Sequence, residues 1–123
     1  MSTREHILLV DDDPDAGLAY RKELEAGGYQ VTVVNEGQSA VKQIKDESIR
    51  LVILDIRMPD MDGIEVLGKV MSLRPGLPVI IYTAYDSYRD SFLSWAADAY
   101  VLKSPDFGEL KNKVKELLSR SKE

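Results

Sequence analysis

Leu51-Val52-Ile53-Leu54-Asp55-Ile56-Arg57-Met58-Pro59-Asp60-Met61-Asp62-Gly63 opens on a run of large apolar residues and halts at a carboxylate. Such a run suits a strand buried on both faces. The proline and glycine that follow rule out continued strand or helix, so Asp55 stands at the mouth of a loop. In a parallel α/β sheet, chemistry collects outside the carboxyl ends of the strands. Asp55 is therefore a candidate reactive group, held from behind and open at its tip. A lone strand-ending aspartate more often only turns the chain. The functional reading stands or falls on whether other strand ends supply partners.

Working outward, Ile7-Leu8-Leu9-Val10 is a second buried-strand run, and it ends on Asp11, Asp12 and Asp13. Pro14 suits the first turn of a helix, with Asp13 as its N-cap. Ala16, Tyr20 and Leu24 give that helix an apolar face, and Gly27-Gly28 stops it. Val31, Val33 and Val34 form a short strand. Asn35 is placed to cap a helix whose apolar side is Ala40, Val41 and Ile44.

Beyond Gly63 the spacing predicts a helix from about Ile64, with Ile64, Leu67, Val70 and Met71 inward and Pro75-Gly76 closing it. Pro78 to Tyr82 reads as a fourth strand ending at Thr83-Ala84. A fourth helix runs through Phe92, Trp95 and Ala96. Tyr100-Val101-Leu102 is a fifth strand ending at Lys103. A fifth helix starts near Asp106 and carries Phe107, Leu110, Val114, Leu117 and Leu118, with Ser121 to Glu123 a frayed end. Strand and helix alternate with short connections and no hairpin sequence. That rhythm calls for a parallel sheet covered by helices on both faces, a three-layer α/β/α sandwich.

Composition narrows the function. The chain has 123 residues, enough for one domain with one core. With no cysteine and a single histidine, His6, disulfides, thiolate metal sites and a histidine-built zinc site are excluded. A net charge of −5 argues against unaided contact with nucleic acid. No apolar run approaches the roughly 20 residues a membrane span needs, and no signal peptide is expected. A small acidic cytoplasmic domain is the expectation.

Asp11-Asp12, Asp55, Thr83 and Lys103 close four of the strands. In a parallel sheet those ends share one edge, so residues far apart in sequence converge. Neighbouring carboxylates ionise together only when a cation joins them. Oxygen-only ligands with several waters suit Mg2+, which also bridges to phosphate. Carboxylate, divalent ion, ammonium and hydroxyl form a site for phosphoryl transfer, with an aspartate as an accepted nucleophile. Each residue alone has a plainer reading: Asp13 as a cap, Lys103 as a solvated lysine, Thr83 as a strand end.

The order Val10-Asp11-Asp12, Leu54-Asp55-Ile56-Arg57-Met58-Pro59, Thr83-Ala84 and Tyr100-Val101-Leu102-Lys103 resembles the receiver domain of two-component response regulators, over essentially the whole chain. The resemblance implies one receiver domain over residues 1–123 with a flavodoxin-like, CheY-like sheet of five parallel strands in order 2-1-3-4-5. Asp55 would be the phosphoacceptor. Asp12 would bind Mg2+ directly, Asp11 largely through water, and the backbone carbonyl of Arg57 would complete the protein ligands. Lys103 would contact the phosphoryl group and Asp55. Thr83 would swing toward a phosphoryl oxygen and Tyr100 would move inward behind it, remodelling the face of the fourth helix, fifth strand and fifth helix. Implied partners are a histidine kinase or histidine phosphotransfer protein, a downstream effector protein or domain, and a second copy across that face.

Three features set this sequence apart. The family has proline directly after the lysine, whereas here the order is Lys103-Ser104-Pro105. A non-proline cis bond at Lys103-Ser104 would cost about 2.5–4 kcal/mol, so a trans bond is expected there; the loop differs, or a cis bond falls at Ser104-Pro105, or there is none, with Lys103 still reaching the site. The resemblance implies that Arg57 and Tyr85 flank the site, where their bulk would slow loss of the phosphoryl group unless both point to solvent. Tyr88, Phe92 and Trp95 form an aromatic stripe, Phe92 assigned to the core and Trp95 left open between core and partner surface, with Leu93 and Ala96-Ala97 able to cover the sheet.

Three other functions compete. A phosphate-ester hydrolase using an aspartyl nucleophile needs an acid two residues on, and Arg57 cannot serve. A degenerate receiver that only binds partners would not need the full set of reactive residues present here. A nucleotide or flavin carrier lacks a Gly-rich phosphate loop after the first strand. The sequence fits both a stand-alone receiver and a piece of a longer regulator or hybrid kinase.

Overall fold

The computed structural model describes residues 4–56, 63–84 and 97–120. The elements run β1 (His6–Val10), α1 (Pro14–Ala26), β2 (Gln30–Val34), α2 (Gly37–Gln43), β3 (Ile49–Leu54), α3 (Gly63–Leu73), β4 (Val79–Thr83), β5 (Ala99–Leu102) and α4 (Gly108–Arg120). All strands pair in parallel, in the order β2-β1-β3-β4-β5. The expected sheet is thus the one observed. Every residue of β1 and β4 is buried, as strands covered on both faces require.

Alternation along the strands divides the core in two. Ile7, Leu9, Leu51, Ile53, Ile80, Tyr82 and Val101 pack on one face against Leu24 of α1 and Leu110, Val114, Leu117 and Leu118 of α4. Leu8, Val10, Val52, Leu54, Val79 and Ile81 pack on the other against Ala40 of α2, Ile44 at its C-cap and Val66, Leu67 and Val70 of α3. Fully burying one such side chain contributes about 1.5–3 kcal/mol, so each helix pair is anchored by several contacts of that size. The three-layer sandwich follows.

Local chemistry sets the element ends. Asp13 caps α1, its side chain accepting from the amides of Asp15 at 3.0 Å and Ala16 at 3.4 Å, with Pro14 in the first turn. After Gly27, Gly28 adopts φ 99° and turns the chain into β2. Gly76, at φ 89°, plays the same part between α3 and β4. His6, the sole histidine, is buried with Nδ1 2.9 Å from Ser48 Oγ and Nε2 2.7 Å from Thr32 Oγ1. It serves the sheet and not a metal.

Two expected details differ. Asn35 does not cap α2: Glu36 holds that position without a side-chain bond, and Asn35 Nδ2 instead donates to the Asp11 carbonyl at 2.8 Å. Met71 is 43% exposed, because Val66 takes the inward position beside Leu67 and Val70. The expected helix through Phe92, Trp95 and Ala96 lies outside the described residues, as do Tyr88 and Leu93. So do Arg57, Tyr85 and Ser121 to Glu123.

Candidate acidic site at the carboxyl ends of the strands

Asp11 follows β1, Asp55 follows β3 and Lys103 follows β5, each continuing the alternation that points to the α1/α4 face. The Asp11 amide donates to the Val34 carbonyl at 3.1 Å and the Asp55 amide to the Val10 carbonyl at 3.0 Å. The sheet ladder thus reaches both aspartates and fixes their backbones.

Lys103 Nζ lies 2.7 Å from Asp11 Oδ2 and 3.1 Å from Asp55 Oδ2. The other oxygen of Asp11 accepts from the Asp13 amide at 3.0 Å. Asp11 and Asp55 are buried, whereas Asp12 is exposed beside them. One carboxylate oxygen from each of Asp11, Asp12 and Asp55 falls within 4.8 Å of the others. Three negative charges meet one ammonium, leaving two uncompensated among the described residues. An all-oxygen donor set with a net deficit of two charges, one member open to solvent, fits a hydrated divalent cation of the Mg2+ type.

Lys103 shows how the balance falls. Burial opposes its ammonium, but the hydrogen bond it donates to Asp11 and the charges of Asp55 and Asp11 outweigh that and raise its pKa above the ordinary lysine value. It is a permanent cation at neutral pH.

Thr83 and Tyr100 follow the other alternation of their strands. Thr83, fully buried, continues the alternation of Val79 and Ile81, and Tyr100 packs part-buried on the same α2/α3 side. The sheet therefore separates the two residues expected to switch from the three that meet in ion pairs. The backbone links them: the Lys103 amide donates to the Thr83 carbonyl at 2.8 Å.

No cis peptide bond occurs among the described residues, so Lys103-Ser104 and Ser104-Pro105 are both trans, as expected for the first. Ser104 Oγ donates to the Asp106 carbonyl at 2.9 Å and accepts from the Asp106 amide at 3.2 Å. Asp106 Oδ1 accepts from the Gly108 amide at 2.8 Å and leads into α4. This compact turn absorbs the displaced proline while Lys103 keeps its place.

An aromatic group, not among the residues expected at the site, borders it. The rings of Tyr20 and Tyr82 meet edge-on at 5.2 Å, and those of Tyr20 and Phe107 at 5.6 Å. Lys103 Nζ sits 5.5 Å from the Tyr20 ring centroid and 6.0 Å from that of Tyr82. By sequence pattern Tyr20 belongs to a helix face and Tyr82 to a strand. Their signal was parity: Tyr82 shares a sheet face with the residue before Asp11 by two, Leu9, and with the residue before Lys103 by two, Val101.

Comparison with known proteins agrees with this arrangement. A family model for the response regulator receiver domain matches residues 7–115, and the chain belongs to that family. The transcriptional regulatory protein ZraR of Escherichia coli K12 is 35% identical over 117 residues, 94% of this chain and 26% of that protein. The probable transcriptional regulatory protein TcrX of Mycobacterium tuberculosis is 34% identical over 94% of this chain and 50% of its own length. The chain thus spans about a quarter to a half of these relatives.

Among solved structures, the response regulator TrrA of Thermotoga maritima in complex with Mg2+-BeF superposes with a TM-score of 0.89 at 42% identity, covering 92% of this chain and 98% of that one. TrrA in complex with the histidine kinase ThkA gives 0.88 at 43% identity, covering 93% and 98%. A CheY-like receiver domain from Methanospirillum hungatei gives 0.88 at 37% identity, covering 98% of each. The chain is a signalling receiver of the two-component type with a CheY-like fold. No helix among the described residues is long and apolar enough to cross a membrane.

Proposed function

We propose that this domain is a cytoplasmic switch that accepts a phosphoryl group on Asp55 from a phosphohistidine of a histidine kinase or phosphotransfer protein. The observation that carries the reading is the convergence of Asp11, Asp12 and Asp55 within 4.8 Å, with Lys103 Nζ 3.1 Å from Asp55 Oδ2. Asp11, Asp12 and Asp55, with the Arg57 carbonyl, would hold Mg2+. When bound, that ion supplies charge neutralisation for the phosphoryl oxygens.

The remaining chemistry belongs to the chain. A carboxylate oxygen of Asp55 bonds to phosphorus while the phosphorus–nitrogen bond of the donor breaks, and the freed imidazole nitrogen takes a proton from solvent. Burial of Asp55 keeps bulk water from competing for the phosphorus on the protein side. Lys103 supplies positive charge where the transferring oxygens arrive. Hydrolysis later returns the carboxylate, which makes the switch self-resetting.

Thr83 and Tyr100 are proposed to relay the change, the hydroxyl moving toward a phosphoryl oxygen and the ring following. Their shared side supports this: Tyr100 packs part-buried on the α2/α3 side, and Thr83 continues the alternation of Val79 and Ile81 toward it. The readout face would combine residues 85–96, β5 and α4, and meet an effector or a second copy. Driving such a switch from 1:99 to 99:1 takes a differential interaction of about 5.5 kcal/mol.

Intact mass after incubation with Mg2+ and acetyl phosphate tests the proposal. We expect one phosphate of added mass that requires the metal and is absent in Asp55→Asn. No mass gain in a folded wild type would leave a partner-binding receiver without phosphoryl chemistry.

A further inference from the structure

We infer that the rings of Tyr20 and Tyr82, with Phe107 as a buttress, form an aromatic floor that positions the Lys103 ammonium, making Tyr20 and Tyr82 positioning residues for phosphoryl transfer. The inference deepens the phosphoacceptor reading and rests on it for its functional part. Its structural part stands on geometry alone.

A lysine side chain is long and flexible, and its ammonium is a point charge without a preferred direction. Two carboxylates attract Lys103, but neither holds it in a constant way. Asp55 changes its charge and shape when it becomes an acyl phosphate, and Asp11 is shared with a cation site. A ring face attracts a cation by its quadrupole and does not change during that chemistry. With Nζ at 5.5 and 6.0 Å from two centroids, the ammonium is held from the protein side by contacts that persist through the reaction.

The floor is itself rigid. Tyr20 stands edge-on to both Tyr82 and Phe107, at interplanar angles of 72° and 73°, the offset geometry aromatic pairs favour. Tyr82 is fixed by β4, Tyr20 by α1, and Phe107 by the Ser104-Asp106 turn. Ser104, between Lys103 and Pro105, belongs to the turn that leads to Phe107. Three chain segments meet under one ammonium.

The test compares Tyr20→Phe and Tyr20→Leu with wild type by two readouts. The first is the NMR position of the Lys103 ε-methylene protons in metal-free protein, which ring faces shift upfield. The second is the rate of phosphoryl acceptance from acetyl phosphate at saturating Mg2+. Tyr20→Phe is expected to retain both. Tyr20→Leu is expected to move the resonance toward that of an exposed lysine and slow acceptance about three- to tenfold, the size of a lost cation–ring contact. Its Mg2+ affinity should match wild type, because no carboxylate has changed.

A Tyr20→Leu protein with wild-type resonance and rate would overturn the inference. So would equal slowing in both variants, which would assign the effect to the hydroxyl. Should Tyr20→Leu not fold, a wild-type Lys103 resonance at the exposed-lysine position would overturn it, and an upfield one would support it. If wild type takes up no phosphate at all, the phosphoacceptor reading fails, and the resonances alone decide whether the floor holds the ammonium.

Discussion

The amide of Gly63 donates to the carbonyl of Ile56 across 2.6 Å, so the two ends of segment 57–62 meet directly behind Asp55. A Cβ at Gly63 would press on the Asp55 carbonyl, the Ile56 Cα and, at 2.8 Å, the Ile56 carbonyl. All three are backbone atoms of the strand end that presents the acceptor, and none can rotate aside. Gly63→Ala is expected to cost more than about 2 kcal/mol by denaturant unfolding and to reduce phosphoryl acceptance. At Gly17 the nearest obstacle to a Cβ is a methyl of Val33 at 2.9 Å, a side chain that can shift. Gly17→Ala should therefore cost less. Equal losses at the two positions would remove the special role assigned to Gly63.

A cation binding to the acidic group should appear as stability. Asp11, Asp12 and Asp55 repel one another, and Lys103 offsets only part of that charge. Adding Mg2+ at about a hundred times its dissociation constant should stabilise the fold by about 2.7 kcal/mol, read as a rise in melting temperature. Asp12 is exposed, and its removal should leave metal-free stability within about 0.5 kcal/mol. Asp12→Asn should nonetheless abolish most of the Mg2+-dependent rise. A variant that still responds fully would exclude Asp12 from the ligand set.

The fold was legible because burial leaves a strong mark on sequence. Ile7-Leu8-Leu9-Val10, Leu51-Val52-Ile53-Leu54 and Val79-Ile80-Ile81-Tyr82 could satisfy neither an exposed loop nor a one-sided sheet, and their polar terminators marked one edge. Asp11, Asp55 and Lys103 were found that way, since strand ends in a parallel sheet must converge. What escaped the sequence were contacts set by side-chain direction. Asn35 has the right type and place to cap a helix, yet the Asp11 carbonyl lies within its reach and takes the amide. Met71 and Val66 are both apolar, and only the angle of α3 on the sheet decides which is inward. The ring floor beneath Lys103 depends on three segments meeting, which no local pattern records.

The buried hydroxyl of Tyr82 has no hydrogen-bond partner among the described residues. Tyr82→Phe keeps the ring and removes that hydroxyl, so it should be neutral or stabilising by up to about 1 kcal/mol. Its pH dependence has a definite sign. Burial, then the neighbouring Tyr20, push the Tyr82 phenol up from 10.0 to about 12, against the opposing pull of Lys103. Between those values the unfolded chain has lost a proton that the folded chain keeps, so this residue's contribution to stability falls as pH rises above about 10. Tyr82→Phe should flatten the alkaline limb of a stability-versus-pH curve in that window. An unchanged limb would show that the phenol is not held neutral by the fold.

Arg74 offers a change that separates stability from signalling. Its guanidinium donates to the carbonyls of Ile44 at 3.1 Å, Asp46 at 2.9 Å and Ile49 at 3.0 Å, closing the turn between α2 and β3 from the end of α3. These carbonyls lie before and at the start of β3, the opposite end of that strand from Asp55. Removing the guanidinium leaves part-buried acceptors without their charged donor, a loss of about 1–3 kcal/mol. Lysine cannot replace it, since one ammonium on a flexible stem lacks the planar fork that spans three acceptors. Arg74→Ala and Arg74→Lys should both lower the unfolding midpoint. Both should take up phosphate on Asp55 at the wild-type rate while folded. A phosphorylation defect at temperatures well below the melting transition would mean that the α2–β3 turn is coupled to the acidic site, contrary to the separation seen along β3.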